Sequence, residues 1–241
     1  MSTLYLVRHG QASFGQMNYD RLSPLGEQQA RLVGEYWVHW GIKLDAVYVG
    51  TLERQRVSME LARAACVAGG MAFPEPVVMP EWNEYNMQSM LTGNVPQAIA
   101  ADPRVAALLR ELAPNGRPDF AANRRALNQL IAVAMDLWVE GRLEARGLGT
   151  WADFMAQVDR GIERVRAEQG AGKTVAVFTS GGVISAAFQR ALAAPDKIAM
   201  QAGWMIRNSA INEFRYDAAR FSLVSFNTTP HLAAPELISL R

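Results

Sequence analysis

The first apolar run of the chain predicts a strand that is buried on both faces. Residues 3–8 are partly β-branched or aromatic, and hydrophobic side chains fall on both sides of the run. Such a pattern is typical of the centre of a parallel sheet. Residues 173–192 have a similar layout, with a buried strand, a tight turn at Gly181-Gly182 and a helix. Both segments therefore predict a strand that ends in a turn at one edge of a sheet.

Helices and further strands alternate along the rest of the chain. In residues 22–41, Ser23 can cap a helix, Pro24 can occupy its first position and Gly41 can end it. The other predicted elements are a strand at 43–50, a helix at 51–70 ended by Gly69-Gly70, an extended piece at 75–82, a helix at 150–170 with a capping-box-like start at Thr150 and Asp153, and late strands at 208–217 and 221–227.

The stretch from about residue 85 to residue 149 has a different character. Pro, Asn and Gly interrupt two helical segments, 95–112 and 119–143. Because this stretch stands between sheet elements, we expect an inserted helical cap and not a separate domain. The whole pattern predicts an α/β fold, a doubly wound and mostly parallel sheet with flanking helices, in a single domain over residues 1–241.

Composition limits the classes of partner and of site. Half of the residues are hydrophobic, which is enough for a core, and the net charge of +1 gives no electrostatic reason to expect nucleic acid or an anionic membrane. Cys66 is the only cysteine, so a disulfide framework or a cysteine metal site is not expected within one chain. The N-terminal apolar run breaks at Arg8, which favours a strand over a signal peptide. We therefore expect a soluble cytoplasmic protein. The sequence is compatible with a homodimer but does not decide the oligomeric state.

Arg8-His9-Gly10 follows the end of the first strand, at the edge where open α/β sheets bind ligands. A neutral histidine there can attack a phosphoryl group through one ring nitrogen. A neighbouring guanidinium disfavours the imidazolium form and binds phosphate. By themselves, these three residues favour a structural histidine that caps the strand.

The segments "LVRHGQAS…LSPLGEQQA" and "GTLERQRVSMELA" resemble the histidine phosphatase superfamily, which has the phosphoglycerate-mutase-like fold. That family continues from Arg-His-Gly through a Leu-Thr/Ser-x-x-Gly-x-x-Gln-Ala helix to Leu-x-Arg-Ala-x-Gln-Thr-Ala. The resemblance implies that Arg54 is the second phosphate-binding arginine, whereas Arg56 falls on a variable, solvated position. It also implies a two-step reaction without a metal or another cofactor, in which His9 forms a phosphohistidine while Arg8 and Arg54 stabilise the phosphoryl oxygens.

Other residues near the histidine are candidates for binding phosphate or substrate. Gln11 and Ser13 follow the histidine where family members often have Glu or Gln and a hydroxyl residue. They could donate to phosphate oxygens or merely cap a loop. Gly10 and Gly181 supply backbone at the two turns, and we include them among the binding residues.

The reaction needs a proton donor for the leaving oxygen, and "PEWNEYNMQ" offers Glu81 and Glu84. The family acid lies in a Leu-x-Glu-x-x-Phe/Tyr-Gly-like stretch, and Glu84 fits that spacing better. We therefore predict Glu84 as the general acid and later base, with Glu81 as the alternative.

At the fourth corner of the pocket the family has His-Gly-Gly, and this chain has Ser180-Gly181-Gly182. A serine hydroxyl remains a hydrogen-bond donor, so we expect attenuated catalysis and not its complete loss. A serine-hydrolase elbow is disfavoured, because Phe178 stands where Gly-x-Ser-x-Gly needs glycine.

The remaining histidines and a basic pair have less defined roles. His39 is expected to be structural or exposed, and His231 stays a candidate for the mouth of the pocket. The spacing of the histidines does not predict a metal site. Arg124-Arg125 are expected on a solvated face, where they could steer an anionic substrate.

These residues predict a phosphomonoesterase that acts on a small phosphorylated metabolite. One alternative is a phosphoglycerate-type mutase, although residues 11–23 lack the "FTGW"-like loop of such mutases. Another is a phosphate- or phosphoprotein-binding module in which Ser180 marks lost catalysis. Substrate specificity is expected to lie in the cap, which carries no recognisable motif.

Overall fold

The structure, a computed structural model, describes the chain except residues 14–19, 87–88, 91–93, 115, 118–121, 145–146 and 241. The chain forms two compact units, Met1–Glu84 with Gln157–Arg241, and Tyr85–Ala156. Among the described residues, no helix combines the length and the apolar character that crossing a membrane requires.

A mixed sheet forms the centre of the first unit. Its six strands in the described residues are β1 (Ser2–Arg8), β2 (Ala46–Val49), β3 (Val77–Val78), β4 (Thr174–Thr179), β5 (Ile211–Tyr216) and β6 (Phe221–Thr228). Their order is β3-β2-β4-β1-β5-β6. The first four strands in this order are parallel, whereas β5 and β6 run antiparallel at one edge. The predicted α/β fold with a mostly parallel sheet is confirmed.

The described residues contain eight α-helices. They are α1 (Pro24–His39), α2 (Glu53–Ala68), α3 (Val95–Ala101), α4 (Arg104–Leu112), α5 (Arg124–Val139), α6 (Trp151–Gln169), α7 (Gly181–Leu192) and α8 (Asp196–Trp204). The predicted boundaries of α1 are confirmed, because Ser23 Oγ accepts from the Gly26 N–H at 3.1 Å and Pro24 begins the helix. The capping box of α6 is also confirmed, since the Asp153 N–H donates to Thr150 Oγ1 at 3.0 Å.

The helices differ from the sequence-based expectations at two places, and one further helix was not expected. The helix expected over 95–112 is interrupted at Asp102-Pro103, because the Asp102 carboxylate accepts from the Arg104 N–H at 2.9 Å and starts a second helix. Helix α7 begins at Gly181, so the two glycines expected in the turn belong to the helix, and α8 was not predicted at all. Of the segment expected as a helix over 119–143, residues 119–121 lie outside the described part of the chain.

Helices α1 and α2 pack closely against each other and against one face of the sheet. A Cβ at Gly34 of α1 would overlap the carbonyl oxygen of Ala62 in α2, so the two backbones approach without an intervening side chain. Trp37 of α1 meets Phe178 of β4 edge-on, with ring centroids 5.8 Å apart, and both side chains are fully buried. This packing fixes where α2 begins relative to the ends of β1 and β4.

The second unit has its own aromatic cluster. Trp138 lies among Tyr85, Trp151 and Phe154 at centroid distances of 5.1, 5.4 and 6.1 Å. The Trp138 Nε1–H donates to the carbonyl oxygen of Gly149 at 2.8 Å, so the buried indole keeps a hydrogen bond.

The carboxyl ends of β1 and β4 lie side by side. Arg8 pairs with Thr179 in the parallel ladder, and the His9 N–H donates to the carbonyl oxygen of Thr179 at 2.9 Å. The two turns singled out in the sequence, at His9 and at Ser180, therefore leave the sheet next to each other.

Candidate active site

The His9 ring is held in one tautomer by the backbone that follows it. Its side chain is buried, and Nδ1 lies 2.7 Å from the carbonyl oxygen of Gly10. A carbonyl oxygen only accepts, so Nδ1 carries the hydrogen and Nε2 keeps a lone pair. The Nε–H of Arg54 donates to this Nε2 at 3.2 Å. The nitrogen available for nucleophilic attack thus faces a guanidinium.

The surroundings of His9 keep its ring neutral. Burial, followed by the positive charges of Arg54 and Arg8, lowers the pKa of His9 well below its usual value of 6.5. A buried imidazole between two cations favours the uncharged form, which is the form that has a nucleophilic lone pair.

Arg54 is oriented by an aspartate that the sequence analysis did not single out. Arg54 Nη1 donates to Asp20 Oδ1 at 2.6 Å, and the Glu53 N–H donates to Asp20 Oδ2 at 2.8 Å. Asp20 thus binds the guanidinium and also caps α2, whose own N-cap residue makes no side-chain cap. No sequence motif marks Asp20, because its two contacts lie more than thirty residues further along the chain.

Arg8 is anchored by the last part of the chain. Its Nη1 donates to the carbonyl oxygens of Ile206 and Leu240, the second at 3.1 Å. These bonds place a second positive charge next to His9, as its effect on the pKa of the His9 ring shows.

The residues after His9 form a turn that is tied to α1 and α2. The Gly10 N–H donates to Ser58 Oγ at 3.0 Å, and the Gln11 N–H donates to Gln29 Oε1 at 2.9 Å. The Ser13 N–H donates to the carbonyl oxygen of Arg21 at 2.8 Å, and residues 14–19 between them lie outside the described part. Gly10, which we predicted to bind phosphate, is thus fixed by Ser58, and its carbonyl oxygen orients the His9 ring.

The side chains of Glu84 and Glu81 lie against different helices. Glu84 Oε2 accepts from the Gly182 N–H at 3.0 Å, so this carboxylate lies at the N-terminus of α7, next to Ser180. Glu81 lies against Gly161 of α6 instead. The structure brings Glu84, and not Glu81, to the turn that faces His9.

Ser180 and Gln55 form a buried pair. Both side chains are fully buried, and Gln55 Nε2 donates to Ser180 Oγ at 2.9 Å. Gln55 was missed in the sequence analysis. The signal was present, because Gln55 shares the buried face of α2 with Met59 and Ala62, and a polar residue on such a face needs a hydrogen-bond partner.

His231 does not contact the His9 side chain through its described hydrogen bonds. It is buried, and its Nε2 lies 2.8 Å from Ser209 Oγ, while the Ser209 N–H donates to the His9 carbonyl oxygen at 3.1 Å. His231 therefore supports the backbone behind His9. His39 is exposed, as expected, and so are Arg56, Arg124 and Arg125. Within the described residues, no group of three or more His, Cys, Asp or Glu side chains could hold a metal ion.

Comparison with known proteins gives a family match and several structures of similar fold. The family model described as "Histidine phosphatase superfamily (branch 1)" matches residues 4–119 and 123–229. No curated protein matches the sequence significantly.

Several solved structures share the fold. A phosphoserine phosphatase mutant from Entamoeba histolytica, in complex with phosphoserine, is 17% identical with a TM-score of 0.61, over 96% of this chain and 100% of that chain. A mycobacterial glucosyl-3-phosphoglycerate phosphatase is 17% identical with a TM-score of 0.64, over 94% and 99%. A phosphoglycerate mutase from Bacillus anthracis is 14% identical with a TM-score of 0.63, over 96% and 95%.

Proposed function

Because the chain belongs to the histidine phosphatase superfamily, we propose that it is a phosphomonoesterase that acts on a small phosphorylated metabolite through a phosphohistidine on His9. The observation that carries this proposal is the hydrogen bond from His9 Nδ1 to the carbonyl oxygen of Gly10. It leaves Nε2 as an unprotonated nucleophile, between the two arginines that can bind the phosphoryl oxygens.

In the first step His9 Nε2 attacks phosphorus, and the bond from phosphorus to the ester oxygen breaks. Arg54 exchanges its bond to Nε2 for bonds to the phosphoryl oxygens, where it stabilises the charge that develops in the transition state together with Arg8. Glu84, in its protonated form, gives its proton to the leaving oxygen, so the product departs as an alcohol.

In the second step a water molecule resolves the phosphohistidine. The Glu84 carboxylate removes a proton from the water, the oxygen attacks phosphorus and the bond from phosphorus to Nε2 breaks. Phosphate leaves, and His9 returns to its neutral form. Glu84 thus acts as acid and then as base from its place at the N-terminus of α7.

The N-terminus of α7 supplies further donors. The hydroxyl of Ser180 and the N–H of Gly181 lie at the start of this helix, where the helix dipole favours negative charge. We assign both to binding of the transferred phosphoryl group.

Two of the similar structures are named phosphatases, which supports hydrolysis. The likeness to a phosphoglycerate mutase makes a mutase the second candidate. A mutase would pass the phosphoryl group from His9 to a substrate hydroxyl instead of to water. Stimulation by a bisphosphoglycerate, with 3-phosphoglycerate as the substrate, would identify that activity.

The test of the proposal is to trap the intermediate. A panel of phosphomonoesters, including an aryl phosphate, identifies a substrate, and rapid quenching with that substrate in radiolabelled form should give an acid-labile, base-stable phosphoprotein. His9→Gln should abolish the label, whereas His39→Gln, which changes an exposed histidine, should retain it. Turnover without a label on His9, or a label that survives His9→Gln, would contradict the proposed mechanism.

A further inference from the structure

The amide of Gln55 lies between Ser180 and the loop that carries Glu84. Its Nε2 donates to Ser180 Oγ and to the carbonyl oxygen of Trp82, each at 2.9 Å. An amide nitrogen has two hydrogens, so these two bonds use both of them. The orientation of the Gln55 side chain is therefore fully determined at the nitrogen end.

This arrangement sets the direction in which Ser180 donates. An amide N–H cannot accept, so Ser180 Oγ is the acceptor in its bond with Gln55. The hydrogen of the Ser180 hydroxyl must then point to a different acceptor. A phosphoryl group bound at His9 would supply such an acceptor, because His9 and Ser180 leave adjacent strands side by side.

We propose that Gln55 is a positioning residue that makes the Ser180 hydroxyl a donor to the transferred phosphoryl group. The two residues together then take the place of the imidazole that the family pattern has at position 180. This inference rests on the proposed function and deepens it, since it explains how a serine serves in that corner of the pocket.

The packing around Gln55 supports a specific role. Within the part of the chain that the structure describes, Gln55 Oε1 is buried without a hydrogen-bond partner, which disfavours folding. A Cβ at Gly50 would overlap this oxygen, so the amide fits only because residue 50 is glycine. The family pattern has alanine at position 55, and a small residue there would leave room for a larger side chain at 180.

The contact between Gln55 and Ser180 predicts that Ser180→His is harmful on its own. An imidazole that extends beyond the position of Ser180 Oγ would collide with the Gln55 amide, because the two atoms are in hydrogen-bond contact and fully buried. Histidine at 180 therefore needs a smaller residue at 55. Activity should be regained only when both positions change together.

A double-mutant cycle tests this coupling. We expect Gln55→Ala and Ser180→His each to lower kcat by about 10- to 100-fold, and the double variant to be at least about tenfold more active than either single variant. Multiplicative losses in the double variant would overturn the inference. Thermal unfolding of all four proteins shows whether each one is folded.

Two further variants separate positioning from packing. Gln55→Glu keeps the shape but offers an acceptor to Ser180, so the serine hydrogen turns to the carboxylate, and we expect a loss of kcat as large as for Gln55→Ala. Gln157→Ala is the matched control, because Gln157 Nε2 donates to the carbonyl oxygens of Glu81 and Asn83 in the same loop at 3.2 Å. If Gln157→Ala lowers kcat as much as Gln55→Ala, the role of Gln55 is only to hold the loop.

Binding of inorganic phosphate distinguishes failure of this inference from failure of the proposed function. If the wild-type protein forms no phosphohistidine, the proposed function fails, and the same cycle is then measured as the Kd for phosphate. Recovery of phosphate affinity in the double variant would support the coupling of Gln55 and Ser180. Independent effects of the two substitutions on the Kd would overturn it.

Discussion

At the scale of single residues, the chemistry of the site depends on the position of one hydrogen. The Nδ1–H of His9 is directed at the Gly10 carbonyl oxygen, which leaves Nε2 to Arg54. Gln55 has a similar effect on the Ser180 hydroxyl. Its Nε2 can only donate, so Ser180 Oγ accepts from it, just as the Gly10 carbonyl oxygen can only accept from His9. Both side chains are buried, so solvent does not offer them another partner.

The position of Arg54 leads to a prediction about pH dependence. Since the pKa of His9 lies well below 6.5, the acid limb of kcat/KM that belongs to this ring should lie well below pH 6.5. Arg54→Met removes one of the two positive charges that lower this pKa, so the limb should move to higher pH. Loss of the guanidinium should also lower kcat by about 100- to 1000-fold.

The measurement is the pH profile of kcat/KM for the wild-type protein and the variant with one substrate, so that titration of the substrate phosphate affects both profiles equally. Arg56→Met is the matched control, because Arg56 is exposed on the same helix. Its profile should coincide with that of the wild-type protein. An unchanged acid limb in Arg54→Met would show that the charge of Arg54 is not needed to keep His9 neutral.

At the scale of elements, the turn after β1 and the start of α1 fit together only as bare backbone. A Cβ at Gly10 would overlap the carbonyl oxygen of Gly26, and a Cβ at Gly26 would overlap that of Gln11. The turn that orients the His9 ring is therefore shaped by the N-terminus of α1. Ser23 and Pro24, which begin this helix, thus contribute indirectly to the geometry of the nucleophile.

This contact predicts that Gly26→Ala is harmful, although alanine favours a helix by about 1 kcal/mol over glycine. We expect a loss of about 1–3 kcal/mol in the free energy of unfolding, because the overlap is with backbone and cannot be relieved by a rotamer change. The activity should fall as well, since the His9 turn must shift. Urea unfolding and kcat measure the two effects.

Gly41→Ala is the control for Gly26→Ala. Gly41 follows the same helix with a φ of +62°, and a Cβ there would meet no atom within 4 Å. We expect a cost of about 1 kcal/mol from the backbone conformation and an unchanged kcat. If Gly26→Ala is as mild as Gly41→Ala, the close approach of the two backbones does not shape the site.

Local signals in the sequence predicted most elements of the first unit. The strand before His9, the capped helix α1 and the strand before Ser180 each follow from a few neighbouring residues. The Asp102-Pro103 break was equally visible, but its effect on the helix was overlooked. The contacts that orient the site could not be predicted in this way, because Gln55 and Ser180 lie 125 positions apart and meet only after the sheet has formed. Their pairing depends on tertiary packing and not on any local pattern.

At the scale of the whole molecule, residues 235–240 contact three segments around His9, which carry Arg8, Gln29 and Asn208. Gln29 Nε2 donates to the carbonyl oxygen of Leu237 at 2.7 Å, and the Asn208 N–H donates to that of Ser239 at 2.8 Å. Arg8 binds the carbonyl oxygen of Leu240. The end of the sheet that carries His9 is thus stabilised by segments from both ends of the described sequence, so local damage there should affect folding and catalysis together.

The buried histidines of the first unit make the folded state sensitive to acid. Burial lowers the pKa of His231 from 6.5 to about 4. Between these pH values the unfolded chain binds a proton that the folded chain does not, so stability is complete above pH 6.5 and decreases as the pH falls towards 4. This difference in pKa corresponds to about 3 kcal/mol.

We therefore expect the free energy of unfolding of the wild-type protein to fall by about 3 kcal/mol more than that of His231→Gln between pH 7 and pH 4. His231 Nδ1 has no hydrogen-bond partner within the described chain, so protonation of the ring would create a buried cation with one N–H that lacks an acceptor. Urea unfolding at several pH values measures the two curves, and His39→Gln, at an exposed histidine, should follow the wild-type curve.

Parallel curves for the wild-type protein and His231→Gln would mean that His231 reaches solvent before the chain unfolds. His9 adds to the acid sensitivity of both proteins, because burial and the charges of Arg54 and Arg8 hold its pKa well below 6.5, and its ring loses its lone pair when it is protonated. The same titration would therefore end both the folding stability that His9 contributes and its nucleophilic reactivity.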